Sequence, residues 1–134
     1  MDQSTLVETQ LDDGKRLLDR LVEEGTPVTA AAWLKEADGG YWFFYLATPL
    51  VGEDGATRAA YRRVDEVTRG LDEPFEIGPS QVKVVAPGSP VGKAVQALHG
   101  RVRGPSPARF EGDQLGGVSI EGAYIYPPAG APAR

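Results

Sequence analysis

The stretch Y-W-F-F-Y-L-A-T at residues 41–48 decides the fold of this chain. Successive side chains of a β-strand point to opposite faces of a sheet. Both faces of this stretch are apolar, one carrying Trp42, Phe44 and Leu46 and the other carrying Tyr41, Phe43, Tyr45 and Ala47. A strand that is apolar on both faces is typical of a sheet covered on both sides. We therefore expect residues 41–48 to form the centre of a sheet.

The residues before this strand predict a helix and a second strand. Thr5 and Glu8 fit a capping box, and apolar residues then recur at helical spacing until Gly25 favours a helix end. Gly14 is the weak point of this helix, because an interior glycine costs about 1 kcal/mol against alanine. Residues 27–35 predict a strand, and the turn-forming residues 36–40 favour a hairpin between the two strands.

The residues after this strand predict two further helices and three strands. Asp54 is expected to cap a helix that runs to residue 69, and the Val-rich residues 81–86 predict a strand. Ser89 followed by Pro90 is a start signal for a third helix, which ends before residue 100. Residues 108–111 and 117–126 predict two strands that pair as a hairpin.

This order of elements, α-β-β-α-β-α-β-β, favours an α+β fold. We expect about three helices packed on a mixed or antiparallel sheet of about five strands. A chain of 134 residues has the length of one domain. We assign residues 1–126 to that domain and expect the Pro- and Ala-rich residues 127–134 to form a flexible tail.

The composition excludes several classes of chemistry. The chain has no Cys, which excludes disulfides, thiolate catalysis and Cys-based metal sites. Its single His excludes a multi-His metal centre. We therefore expect no metal and no cofactor. The N-terminal residues lack the basic and apolar regions of a signal peptide, and no stretch approaches the roughly 18 apolar residues of a membrane span. A cytoplasmic location without membrane contact is the expectation.

The segment P-G-S-P-V-G-K-A at residues 87–94 lies where a phosphate-binding loop would lie, between a strand and a helix. A P-loop requires four residues between its first Gly and its Gly-Lys pair, followed by Ser or Thr. Only three residues intervene here, Ala94 follows Lys93, and Pro90 lacks the N–H that a phosphate would use. The segment is better interpreted as a helix start that Ser89 caps.

The middle of the chain is basic although the whole chain is acidic. Residues 61–110 hold eight Lys and Arg against five Asp and Glu, a local charge of +3 in a chain of net charge −5. A solvated surface is the first interpretation of Lys93, Arg101, Arg103 and Arg109. The alternative is a nucleic-acid or phosphate-ligand site in the segment 93–109. The net charge of −5 disfavours a general nucleic-acid binder.

Glu121 is the candidate for chemistry within the last predicted strand. It lies among small and apolar residues, where a buried carboxylate needs a partner such as Arg101 or Arg109. A structural ion pair or an exposed carboxylate explains the same pattern. The alternatives are a polar group in a binding cleft and a small enzyme that uses Glu121. Tyr124 is a further candidate binding residue. No second carboxylate stands at a diagnostic spacing.

Two stretches carry a resemblance. W-F-F-Y-L-A-T-P at residues 42–49 and G-V-S-I-E-G-A-Y-I-Y at residues 117–126 resemble segments of small, uncharacterised bacterial proteins of about this length. The resemblance implies a stand-alone bacterial domain and brings no activity with it.

The function that these observations favour is a non-enzymatic protein-interaction or self-associating module. The last strand, residues 117–126, is followed by Pro127 and Pro128 and is expected at the edge of the sheet. An exposed edge can pair with another chain, including a second copy of the same protein. The expectation is therefore a homodimer or a complex with another protein through residues 117–126.

Overall fold

The computed structural model describes residues 8–36, 41–52, 56–71, 75–99, 108–115 and 118–126, with the backbone alone at 79, 99, 108–115 and 118–121. It has three α-helices: α1 (Glu8–Glu23), α2 (Arg58–Arg69) and α3 (Pro90–His99). The strands are β1 (Ala30–Glu36), β2 (Trp42–Ala47), β3 (Val82–Val85), β4 (Ala108–Leu115) and β5 (Val118–Ile125). One turn of 3₁₀ helix, Pro79–Gln81, leads into β3.

The strands form one sheet in the order β3-β2-β1-β5-β4. The pairs β1–β2, β1–β5 and β4–β5 are antiparallel, while β2 and β3 run parallel. The parallel pair is possible because the chain between β2 and β3 passes through α2, which supplies the crossover that a parallel pair needs. The mixed sheet and the three helices confirm a single α+β domain.

Two positional predictions for the strands are wrong. The centre of the sheet is β1 and not β2, and β5 lies between β1 and β4 and not at an edge. The register shows why β5 is interior: Tyr124 is opposite Trp33 of β1 on one side and Arg109 of β4 on the other. The central strand β1 is buried over residues 30–34, because its side chains there are all apolar and alternate between the two faces, with Trp33 on one and Leu34 on the other.

The sheet buries a different apolar cluster on each of its faces. One cluster packs under α1 and α2 and contains the aromatic side chains of Trp33, Phe44 and Tyr126. The other packs under α3 and contains Tyr45 and Ile125. The alternation predicted for β2 is confirmed, because Trp42, Phe44 and Leu46 lie in the first cluster and Tyr45 and Ala47 lie in the second.

The helix α1 is a single helix of 16 residues, although Gly14 interrupts its pattern of good helix formers. A side chain at residue 14 would overlap the Tyr126 hydroxyl and touch the indole nitrogen of Trp33. Tyr126 donates its hydroxyl proton to the Leu11 carbonyl oxygen at 2.6 Å and accepts the Trp33 indole N–H at 3.0 Å. Glycine is therefore required where α1 approaches the sheet most closely.

The end of α1 follows a local rule, whereas the start of α2 differs from the prediction. After α1, Gly25 has a φ of 81°, and the N–H groups of Gly25 and Thr26 donate to the carbonyl oxygens of Val22 and Leu21. This is the pattern of a Schellman helix end. Thr57 precedes α2 as its N-cap residue, so the predicted cap at Asp54 is wrong; residue 54 lies outside the described residues.

None of the helices in the described ranges is both long enough and apolar enough to cross a lipid bilayer. Residues 1–7 and 127–134, which include the predicted capping box and tail, lie outside the described residues.

Candidate functional site

The outer edge of β4 is the candidate functional site. This strand is eight residues long and stands last in the order of the sheet. Among the described residues it pairs with β5 alone. In an antiparallel strand every second residue turns its N–H and C=O toward one neighbour, and the residues between turn theirs to the other side. On the side of β4 away from β5, the described residues contain no strand that pairs with these backbone groups, so this side is a candidate for pairing with another strand.

The opposite edge of the sheet is built differently. β3 has only four residues, and α2 lies beside it. The Val84 N–H, which points away from β2, donates to the Tyr61 hydroxyl of α2 at 3.4 Å. On its inner side the Val85 carbonyl accepts the Thr48 N–H at 3.0 Å. A short strand with an outward N–H bonded to a neighbouring helix is a poor template for a new strand.

A small apolar pocket lies next to this guarded edge. It has a volume of about 70 Å³ and is lined by Tyr61, Val64, Asp65, Thr68, Phe75, Ile77 and Val82. Its polar side chains are already engaged: Asp65 pairs with Arg69 at 2.9 Å, and Thr68 donates to the Val64 carbonyl at 2.8 Å. This pocket has room for one small apolar group, and its polar groups offer little to orient a reacting substrate.

Three ionisable groups from three different strands meet on the α3 face of the sheet. The Glu36 carboxylate accepts a hydrogen bond from the Lys83 ammonium at 2.8 Å and another from the Tyr45 hydroxyl at 2.5 Å. The Lys83 ammonium also lies 4.0 Å from the centre of the Phe43 ring, within the range of a cation–π contact. We call Glu36, Tyr45 and Lys83 the Glu36 cluster.

The environment shifts the pKa of two members of the Glu36 cluster. Burial raises the pKa of Glu36, but the hydrogen bonds from Lys83 and Tyr45 and the charge of Lys83 outweigh it and leave the pKa below its usual value of 4.5. Burial, and then the hydrogen bond to Glu36, raise the pKa of the Tyr45 hydroxyl. Each group is thereby held in its ordinary state at neutral pH, which is the behaviour of a structural ion pair.

The structure places two of the predicted site residues, Arg109 and Tyr124, opposite each other on β4 and β5, but it places Lys93 apart from Tyr124. Lys93 is exposed on α3, which packs on the face of the sheet that carries Ala123 and Ile125. Tyr124 packs against the cluster on the opposite face, with its ring 5.4 Å from that of Tyr126. The sheet therefore lies between Lys93 and Tyr124.

The other predicted site residues are described only in part or not at all. Arg101 and Arg103 lie outside the described residues. For Arg109 in β4 and Glu121 in β5 the structure describes the backbone alone. The register between β1 and β5 shifts at Glu121, because Lys35 is opposite Gly122 while Glu36 is opposite Ile120. Glu121 is thus the extra residue of a β-bulge.

The segment at residues 87–94 is a capped helix start, as predicted. Ser89 accepts the Gly92 N–H on its hydroxyl at 3.0 Å and donates to the Ala86 carbonyl at 2.7 Å. A side chain at residue 92 would overlap the Ala86 carbonyl oxygen, which explains the glycine without a phosphate. The amide that a phosphate would need is therefore occupied by the cap.

Sequence reasoning missed the Glu36 cluster and the role of Tyr61. The turn-forming residues 36–40 predict Glu36 in the turn after β1, whereas it is the last residue of that strand, and its N–H donates to the Tyr41 carbonyl at 3.1 Å. A strand one residue longer would have placed Glu36 on the same face as Leu34. The position of Lys83 beside it depends on the parallel pairing of β2 and β3, which no local signal specifies.

Comparison with known proteins adds no family to this description: no protein-family model, curated protein or solved structure matches the chain.

Proposed function

We propose that this protein is a small protein-interaction module that joins another chain by strand addition at the outer edge of β4. The observation that carries the proposal is the position of this eight-residue strand, which pairs on one side only within the described residues. In strand addition, main-chain hydrogen bonds supply affinity to an incoming extended segment. The edge lies on β4, which corrects the expectation of an edge at residues 117–126.

The contrast between the two edges supports β4 as the interaction site. At β3 the Tyr61 hydroxyl takes the outward Val84 N–H, and four residues offer few further groups. Proteins guard sheet edges with short strands and covering elements because an open edge recruits other chains. A domain that guards one edge and leaves a longer strand at the other directs pairing to the second edge.

The proposal gives the Glu36 cluster a structural role. Its carboxylate, hydroxyl and ammonium bond to one another, and the cluster joins β1, β2 and β3. A general base or acid needs a pKa near the operating pH, whereas the pKa of Glu36 is lowered and that of Tyr45 is raised. Both shifts move these groups away from acid–base work at neutral pH.

A proline pair at β4 tests the proposal. Of two adjacent residues in the strand, one N–H points to β5 and the other points outward, so Phe110→Pro and Glu111→Pro have opposite consequences. The proline that faces outward should keep the fold, judged by circular dichroism and urea unfolding, and should lose the chains captured by tagged protein from its native cell. Phe110→Ala and Glu111→Ala control for the lost side chains.

The proposal would be overturned if every proline variant that keeps the fold still captured the same chains as the wild type. Nuclease treatment of the lysate distinguishes this proposal from the second hypothesis, nucleic-acid or phosphate binding through residues 93–109. Chains that are captured through nucleic acid would be lost after the treatment. That hypothesis stays a prediction, and it requires binding that weakens steeply with salt and disappears on charge reversal of Arg101 and Arg103. An enzyme that uses Glu121 also stays a prediction, and it requires a concave pocket around that residue.

A further inference from the structure

The occupant of the β4 edge can be inferred from the strand itself. Resting on the proposed function, we infer that the partner is a second copy of this chain, paired antiparallel with β4 about a twofold axis at residue 110. An interface between identical chains with twofold symmetry uses the same surface on both copies, so the strand must be complementary to its own reverse. β4 has this property.

The sequence of β4, A-R-F-E-G-D-Q-L at residues 108–115, carries opposite charges two positions apart. In antiparallel pairing about residue 110, position 109 of one copy stands opposite position 111 of the other, and this pair occurs twice. Each is an Arg opposite a Glu, and the central pair is Phe110 opposite its own copy. Opposite charges and aromatic pairs directly across two strands both stabilise a sheet.

Neighbouring registers are less favourable. Pairing about residue 111 also forms two opposite-charge pairs, Arg109 with Asp113, but it places Glu111 opposite its own copy, and like charges directly opposite destabilise a sheet. An axis between residues 111 and 112 places Arg109 opposite Gln114, so neither Arg meets an acid. The register about residue 110 pairs positions 108–112 and produces two opposite-charge pairs with no like-charge pair.

The resulting assembly is consistent with the rest of the fold. A twofold axis perpendicular to the sheet joins two five-stranded sheets into one continuous sheet and keeps equivalent faces on the same side. The helix α3 packs on β1, β2, β4 and β5, so the two copies of α3 would lie on the same face of that sheet. The guarded β3 edges end the assembly at both outer sides, which stops further growth into a fibre.

A charge-swap cycle on purified protein tests the inference. Arg109→Glu places two acidic pairs across the interface, and Glu111→Arg places two basic pairs there. We expect each single variant to raise the dimer dissociation constant by about tenfold or more. The double variant Arg109→Glu with Glu111→Arg restores both opposite-charge pairs and should return the constant to near its original value. Sedimentation equilibrium measures all four proteins.

Three outcomes would overturn the inference. The first is a wild-type protein that remains a monomer at high micromolar concentration. The second is a dimer whose strength the single variants leave unchanged. The third is rescue of Arg109→Glu by Asp113→Arg in place of Glu111→Arg, which would move the axis to residue 111. A monomer whose proline variants still lose captured chains would remove the self-pairing and leave the proposed function standing.

Discussion

Gly14 is the residue at which α1 and the sheet come closest. A Cβ there would overlap the Tyr126 hydroxyl and press on the Trp33 indole. Alanine favours a helix over glycine by about 1 kcal/mol, but overpacking a core costs about 1–3 kcal/mol. Because the approach is tight and Tyr126 is also bonded to Leu11, we expect Gly14→Ala to lower the free energy of unfolding, as measured in urea.

Gly88 provides the matched control for Gly14. No atom lies within 4 Å of a Cβ built at Gly88, and its φ is not positive. Gly88→Ala should therefore leave the free energy of unfolding within about 0.5 kcal/mol of the wild type. Equal stability of the Gly14→Ala variant and the wild type would contradict the described packing of α1.

Tyr126 joins α1 to the sheet through its hydroxyl, which bonds both Leu11 and Trp33. Tyr126→Phe keeps the ring but removes a hydrogen-bond partner from the part-buried Leu11 carbonyl and from the buried Trp33 indole N–H. Unsatisfied buried groups cost about 1–3 kcal/mol. We expect a loss of that size in urea unfolding, and a smaller loss for Tyr61→Phe, because the Tyr61 side chain on α2 is exposed. A fully stable Tyr126→Phe variant would show that these bonds contribute nothing net.

The lowered pKa of Glu36 predicts a pH dependence of stability. A carboxyl whose pKa is lower in the folded state than in the unfolded state stabilises the fold above its ordinary pKa, and this contribution disappears as the pH falls through the lowered value. We expect Glu36→Gln to reduce the free energy of unfolding by about 1 kcal/mol at neutral pH. The difference between the variant and the wild type should narrow below pH 4.5, the ordinary value.

Urea unfolding from neutral to acidic pH measures this difference. Glu23→Gln is the control, because Glu23 is exposed on α1. A Glu36→Gln variant whose deficit stays constant through acidic pH would show that the ionised carboxylate is not the stabilising species. Lys83→Met should remove part of the same pH-dependent contribution, because the hydrogen bond and the charge of Lys83 lower the pKa of Glu36 while the hydrogen bond from Tyr45 remains.

At the scale of the elements, the start of α3 depends on one side chain. Ser89 satisfies the Gly92 N–H, and removal of an N-cap side chain costs about 1 kcal/mol. We expect Ser89→Ala to lose about that amount in urea unfolding, while Ser89→Asp retains the cap and most of the stability. A Ser89→Ala variant with unchanged stability would mean that the cap is not formed in solution.

The elements whose ends follow local rules could be predicted from the sequence. Gly25 ends α1 through its positive φ, and Ser89 with Pro90 begins α3. The start of α2 could not be predicted in this way, because Thr57 occupies the N-cap position without a side-chain cap bond. The sequence pattern therefore favours Asp54 in the preceding loop as the cap, although the helix begins after Thr57.

Positions within the sheet could not be predicted, because they depend on pairing between distant parts of the chain. The pattern of residues 41–48, apolar on both faces, predicts burial on both faces, and β2 is buried in this way. β1, with its run of alanines, is buried on both faces as well, so the pattern does not tell which strand is central. Pro127 after the last strand suggested an edge for β5. The pairing of β5 with both β1 and β4 overrides that local signal.

The candidate site shows the same division between local and distant information. β4 is the outer strand because β5 lies between it and β1. The residues of β4 contain no local signal that predicts this position. The sequence shows the opposite charges at residues 109 and 111, but without a position in the sheet they count only as part of a basic segment. These charges can pair between two copies of the chain only because β4 is the outer strand of the sheet.

At the scale of the whole molecule, the central claim is that the outer edge of β4 pairs with another chain. Amide hydrogen exchange of β4 in dilute and concentrated protein measures this most directly, because alternate amides of the strand point to β5 and to the edge. The account predicts that the amides bonded to β5 are protected at all concentrations, while the outward amides exchange fast when dilute and slow as the concentration rises. Outward amides that stay unprotected at every concentration, or that are already protected in dilute monomer, would contradict it.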